Sequence, residues 1–222
     1  RFDTPEKARQ MTKGHFRMIS GVDAAIGRVL DELESLDLAD NTVVILMGDN
    51  GYFLGERGYA GKWLPYDLSI HVPLIVFDPR VEAQHRGSIP TQAALNIDIA
   101  PTLLDMAGIE IPTAMQGESL VPLLEGASPA DWRTDFFVEH LFNHPEIPKH
   151  EGVRGERYKY ARYFEQTPVY EELYDLLEDP METKNLAEDA DYLEILVQLR
   201  ARTDELQMEY GGPYLPVTQQ KP

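Results

Sequence analysis

Thr42-Val43-Val44-Ile45-Leu46-Met47-Gly48-Asp49-Asn50-Gly51 is the stretch from which the fold can be read. From Thr42 to Met47 the residues are apolar or β-branched without interruption. A half-exposed strand would alternate, so this run predicts a strand buried on both faces, as in a parallel sheet. Upstream, Ile19, Val22, Ile26, Val29, Leu30 and Leu33 recur at three- and four-residue steps. That spacing predicts an amphipathic helix ending near Leu36. Its start is marked by Thr4-Pro5-Glu6, a capping hydroxyl followed by a proline where no N–H is needed. Asp37 to Asn41 is turn-like, and helix, turn and buried strand together predict α/β architecture.

Downstream, Val72-Pro73-Leu74-Ile75-Val76-Phe77 predicts a second strand with Pro73 at its start or on an edge. Asn96-Ile97-Asp98 predicts a helix start with Asp98 as N-cap, Pro101 in the first turn and Gly108 closing the helix. Prolines and glycines collect between Pro112 and Ala130, and a boundary is placed there: residues 1–128 in the α/β unit, residues 129–222 in a smaller one. The second part reads as short antiparallel strands at Phe136-Phe137-Val138, Tyr158 to Tyr163 and Glu172-Leu173-Tyr174. A last helix follows from about Asp189 to Tyr210, with Leu193, Leu196, Leu199 and Leu206 on one side.

Composition narrows the function classes. The formal net charge is -18 and the pI about 4.6. Such a chain repels phosphate backbones and anionic headgroups, so neither nucleic acid nor a membrane surface is an expected partner. The basic-aromatic run Arg157-Tyr158-Lys159-Tyr160-Ala161-Arg162-Tyr163 accordingly reads as a half-buried strand. There are no cysteines, which removes disulfides, thiolate metal sites and cysteine nucleophiles. No apolar run is long enough to span a bilayer.

Asp49 and Asn50 fall at the carboxyl end of the first strand, where open α/β sheets bind ligands. A carboxylate beside an amide carbonyl offers hard oxygen ligands suited to Ca²⁺ or Mg²⁺. Asp-Asn-Gly is equally a turn sequence. Lys62, between Gly61 and Trp63, reads either as a cation for an anionic substrate oxygen or as a surface lysine with its stem packed down. His71 either lines a pocket or packs in its loop. His140 and His144 lie in the proline-rich Glu139–Glu151 stretch, read as a loop, and are candidate substrate contacts.

In order along the chain, Asn41-Thr42-Val43, Gly48-Asp49-Asn50-Gly51, Gly55-Glu56, Gly61-Lys62-Trp63, Ser69-Ile70-His71-Val72-Pro73-Leu74 and Asp98-Ile99-Ala100-Pro101-Thr102-Leu103-Leu104-Asp105 resemble the sulfatases of the alkaline-phosphatase superfamily. Arg157-Tyr158-Lys159-Tyr160, Glu172-Leu173-Tyr174-Asp175-Leu176 and Asn185-Leu186 extend the resemblance to nearly the whole chain. It implies a mixed-sheet α/β core with a small C-terminal α+β subdomain, and hydrolysis of sulfate esters of sugars or polysaccharides. It also implies one Ca²⁺, held partly by Asp49 and Asn50, and a formylglycine nucleophile formed in a Cys/Ser-x-Pro-x-Arg sequence. Lys62 matches a family lysine that neutralises substrate charge, and Asp49 matches a residue that can also contact the nucleophile. Arg57 stands where many relatives have histidine; it either adds positive charge near substrate or pairs with a surface acid.

No Cys/Ser-x-Pro-x-Arg sequence occurs here. The resemblance therefore makes this the C-terminal half of a sulfatase, with the nucleophile and half of the calcium ligands in a missing N-terminal half, and the fragment alone inactive. A phosphoric- or phosphonic-ester hydrolase on the same fold is the nearest alternative, and a non-catalytic metal- or partner-binding fragment another. A periplasmic or secreted location follows from the resemblance alone.

Overall fold

The computed structural model describes residues 2–212, so residues 213–222 of the predicted second part lie outside the described residues. Two compact units emerge: residues up to Gly61 with His71–Trp132, and Lys62–Ile70 with the residues from Arg133 onward.

The first unit opens on α1 (Pro5–Ser35), where Thr4 Oγ1 accepts from the Lys7 backbone N–H at 3.3 Å and Pro5 takes the first helical position. Start and end agree with the predicted helix. Its apolar stripe, however, meets little within the described residues: Val22, Val29 and Leu30 are exposed. A short turn leads to β1 (Val44–Met47), then β2 (Phe53–Leu54) and β3 (Ala60–Gly61), which pair with each other. In the second unit α2 (Asp67–Ile70) follows, and the first unit resumes with β4 (Leu74–Phe77).

β1 pairs with β4 antiparallel, Val44 opposite Phe77 and Met47 opposite Leu74. Parallel pairing and two-face burial of β1 are thereby corrected. Among the described residues this is a two-stranded ribbon, and Leu46 and Met47 are exposed. An unbroken apolar run reports only that both faces can be covered; it does not report strand direction or the cover itself. Pro73 precedes β4, as predicted, and its carbonyl accepts from Gly48 N at 3.0 Å.

α3 (Ile99–Met106) ends at Gly108, with φ +67°, as the sequence suggests. Asp98 stands at the N-cap position of α3, as predicted, but its side chain makes no capping bond to that helix. Its fully buried carboxylate accepts from Leu95 N at 2.7 Å and from Glu118 N at 2.9 Å, so it ties two loops together. Two bonds from a buried carboxylate satisfy more backbone than one cap would. α4 (Val121–Leu124) supplies Leu123, which packs with Leu120 and Trp132, while Leu74 and Ile99 close the cluster.

The second unit is an antiparallel meander, β5 (Asp135–His140), β6 (His150–Gly155), β7 (Tyr158–Tyr163) and β8 (Tyr170–Asp175), in that order across the sheet. β6 is absent from the sequence reading, which left its first residues in a loop. His150-Glu151-Gly152-Val153-Arg154-Gly155 holds two glycines and three charged or polar residues, a poor strand signal. Gly152 is required there: a Cβ would lie 2.0 Å from the Tyr160 carbonyl oxygen. β7 is buried, Lys159 included, so its half-buried reading is also corrected. α5 (Leu193–Glu209) covers the sheet, with Leu196 and Leu206 packed against Val153, Tyr160 and Leu173. Leu193, expected on the same side, is exposed. No helix among the described residues is long and apolar enough to cross a membrane.

Candidate functional site

In the first unit, Asp49 and Asn50 follow β1 directly. Gly48 makes the close approach possible, since a Cβ there would stand 3.1 Å from Val72 Cβ. Asp49 is exposed; its Oδ1 accepts from Asn50 N at 2.8 Å, and Asn96 Nδ2 donates to its carbonyl at 3.2 Å. Asn50 Nδ2 donates to the Gly51 carbonyl at 2.7 Å. The pair therefore presents carboxylate and amide oxygens, the donor chemistry of a hard cation. Two side chains do not make a cage, and no group of three or more His, Cys, Asp or Glu that could hold a metal exists among the described residues. Arg57, exposed at φ +56°, and His71, exposed just before β4, belong to the same unit.

Lys62 begins the segment that belongs to the second unit. It is half-buried, with Nζ 5.2 Å from the centroid of the Trp63 ring. The segment is bolted to β7 and β8 by buried polar groups. Tyr66 Oη donates to Glu172 Oε1 at 2.6 Å, and Tyr163 and Tyr174 donate to the same carboxylate at 2.9 and 3.2 Å. Asp67 pairs with Lys159 at 3.0 Å and Arg154 at 3.1 Å, and its N–H donates to Glu182 at 2.8 Å. Lys159 also pairs with Glu182. Burial works to raise the Asp67 pKa, but the Lys159 charge and the Arg154 hydrogen bond outweigh it and hold the carboxyl below its usual range.

His140 and His144 are brought to the same neighbourhood as Lys62, through rings that sequence reasoning passed over. Trp63 lies 5.4 Å from His140 and 6.0 Å from Phe142 between centroids, and Phe142 stacks on His144 at 6.2 Å. Trp63 stands next to Lys62 in the sequence; for Phe142, nothing short of the fold would have found it.

His150, also passed over, stacks on His140 at 5.4 Å. Burial pushes its pKa from 6.5 down to about 4, opposed by its contact with the Pro148 carbonyl and aided by the neighbouring His140. Between these values the unfolded chain binds a proton that the folded chain refuses. Stability from the neutral ring is thus complete above pH 6.5, falls as pH drops, and the loss levels off near pH 4. The full shift corresponds to about 3 kcal/mol. Urea unfolding of the wild type and His150→Gln across that range should show the wild type losing about 3 kcal/mol more. Parallel pH profiles would refute the assignment.

Comparison with known proteins gives the family. Residues 55–209 match the family described as N-sulphoglucosamine sulphohydrolase, C-terminal. An N-acetylglucosamine-6-O-sulfatase of Bacteroides thetaiotaomicron is 34% identical over 209 residues, covering 92% of this chain and 37% of that protein. A solved protein in complex with its substrate D-glucosamine-2-N,6-O-disulfate superposes with TM-score 0.80 at 34% identity, over 86% of this chain and 39% of that one. A phosphonate monoester hydrolase of Agrobacterium radiobacter superposes with TM-score 0.78 at 30% identity, over 86% of this chain and 40% of that one. The chain thus spans about two fifths of the length of the relatives it matches. On this match and this likeness, the chain belongs to the sulfatases, in the family of N-sulphoglucosamine sulphohydrolase C-terminal regions.

Proposed function

We propose that this chain is the C-terminal portion of a sulfate-ester hydrolase that releases inorganic sulfate from a sulfated sugar. The observation that carries the reading is Lys62, a half-buried cation whose segment is fixed by the Tyr66–Glu172 and Asp67–Lys159 contacts. A fixed ammonium stabilises charge developing on a sulfate oxygen better than a mobile one, because no reorganisation is needed at the moment of reaction. The relative that acts as an N-acetylglucosamine-6-O-sulfatase and the neighbour bound to a glucosamine disulfate support an amino-sugar sulfate as the substrate class.

Asp49 and Asn50 would give two oxygens to a Ca²⁺, and other donors must complete its six to eight. When bound, such an ion would polarise the sulfate oxygens. Asp49 can besides accept a proton or hydrogen bond from an attacking hydroxyl. Arg57 and His71 are assigned secondary contacts with substrate, as are His140 and His144. The chain holds no cysteine and no Ser-x-Pro-x-Arg sequence, so a formylglycine nucleophile has to come from other sequence, and these 222 residues alone should not turn over. A periplasmic or secreted location goes with this reading.

The second reading, a phosphonate monoester hydrolase, is favoured by the likeness to the Agrobacterium enzyme. The full-length protein should release sulfate from glucosamine 6-sulfate, followed by ion chromatography, at least about a hundredfold faster than it cleaves a phenyl phosphonate monoester. The reverse ratio establishes the second reading instead.

A further inference from the structure

After β5 the chain turns Phe142 parallel to Trp63, with 20° between ring planes and 6.0 Å between centroids. His144 stacks against Phe142 at 29°. Both large rings face water: Trp63 is 42% exposed and Phe142 57%. Trp63 is also held at φ +95°, in a backbone region that bulky residues rarely enter. Strain of this kind persists where surrounding structure imposes it, and it collects at ligand sites. Two polar groups border the rings. Lys62 Nζ sits 5.2 Å from the Trp63 centroid, and His140 Nε2 is buried without a hydrogen-bond partner among the described residues. A buried imidazole nitrogen left unpaired is costly unless something else satisfies it.

A flat aromatic surface, a cation and an unsatisfied imidazole nitrogen together specify their occupant. An aliphatic peptide or acyl chain would gain nothing from the cation. A nucleobase could stack, but its polyphosphate backbone would meet a chain of net charge -18. A pyranose ring offers a face of C–H bonds for the rings, hydroxyls for His140, and, when sulfated, an anion for Lys62. The same negative charge disfavours a long polyanion and favours a single sugar residue carrying one or two sulfates.

We propose that Trp63 and Phe142 form the stacking surface for the pyranose ring of the sulfated substrate, with His140 Nε2 on a ring hydroxyl. This deepens the hydrolase reading and rests on it only for the fate of the sulfate group. The rings bind the sugar whether or not sulfate is present; Lys62 reads the sulfate.

The test is equilibrium binding, by saturation-transfer NMR and titration, of glucosamine 6-sulfate and of unsulfated N-acetylglucosamine to full-length protein whose nucleophile-forming residue is replaced by alanine, with sulfate release followed on the unsubstituted protein. Trp63→Ala should weaken both sugars about tenfold, and Phe142→Ala both severalfold. Lys62→Ala should weaken only the sulfated one. Phe142 is exposed enough that its removal leaves the fold intact, so the test survives a Trp63 variant that does not fold. Unchanged binding of both sugars in the two ring variants overturns the proposal. So does loss of the sulfated sugar alone, which would mean that the rings only hold Lys62, and so does a protein with both rings in place that transfers no saturation to either sugar. Ring-dependent binding of both sugars without any sulfate release leaves the platform standing and removes the hydrolase reading.

Discussion

Lys62→Ala in the full-length protein should lower sulfate release from glucosamine 6-sulfate by about 10²–10³-fold, most of it in kcat. That is the usual cost of removing one fixed donor from the place where negative charge develops. The effect concentrates in kcat because the ammonium meets more charge in the transition state than in the bound ester. A surface lysine would give a near-unchanged rate. That rate separates the two readings of Lys62 left open by the sequence; the side chain itself is half-buried, lies against the Trp63 ring and starts a segment anchored at both Tyr66 and Asp67. Lys62→Arg should recover only part of the loss: it restores the charge on a planar group with a different reach. A rate within twofold of wild type for Lys62→Ala would end the assigned role, whatever became of KM.

Local signals carried the reading of most elements. Thr4-Pro5 marked the start of α1, and the three- and four-residue apolar steps marked its length, because capping and amphipathic periodicity are properties of neighbouring residues. The strand character of Val44–Met47 and Leu74–Phe77 was legible for the same reason. Their antiparallel pairing was not, since direction depends on the route of the chain between them. β6 escaped because its stability comes from its neighbours on both sides, β5 and β7, and hardly from its own residues. The N-cap position of Asp98 is legible because an acid before a helix commonly takes it; that its carboxylate instead accepts from Leu95 and from Glu118, twenty residues away, is not.

For the candidate site, the residue types were legible and their companionship was not. Asp49-Asn50 and Lys62 stand out as ordered motifs in the sequence. That Lys62 travels with residues from Arg133 onward is decided by contacts such as Lys159 to Asp67, 92 positions apart, and Asp67 to Glu182, 115 apart. Lys159 sits in a basic-aromatic strand that reads as half-buried, and its full burial is hidden because burial of a lysine depends on carboxylates that arrive from elsewhere. The Trp63–Phe142 pair is hidden in the same way, its two rings coming from distant segments.

Lys159→Met should destabilise the protein by about 3–5 kcal/mol, the range for breaking a buried pair by removing one partner. Methionine keeps an unbranched apolar stem of four heavy atoms and removes the ammonium group, so the change acts chiefly on the charge. Lys159 stands between Asp67 and Glu182, with Arg154 also on Asp67. Two cations thus face two carboxylates, and removing Lys159 leaves Glu182 buried without its cation. Burial already raises the Glu182 pKa despite the Lys159 charge; without that charge it must rise further. A carboxyl whose pKa is higher in the folded than in the unfolded state loses stability as pH rises through it. The penalty of Lys159→Met should therefore be largest at neutral pH and shrink as Glu182 takes up a proton. Adding Glu182→Gln should recover part of the loss, so the double variant is less destabilised than the sum of the singles. Because Asp67 loses a partner in the same step, backbone amides of Lys62–Ile70 should exchange faster in Lys159→Met than in the wild type. Urea unfolding of the four proteins with hydrogen exchange of that segment decides the matter: additive losses and unchanged exchange would mean that Lys159 is only packed there, and that the position of Lys62 owes nothing to it.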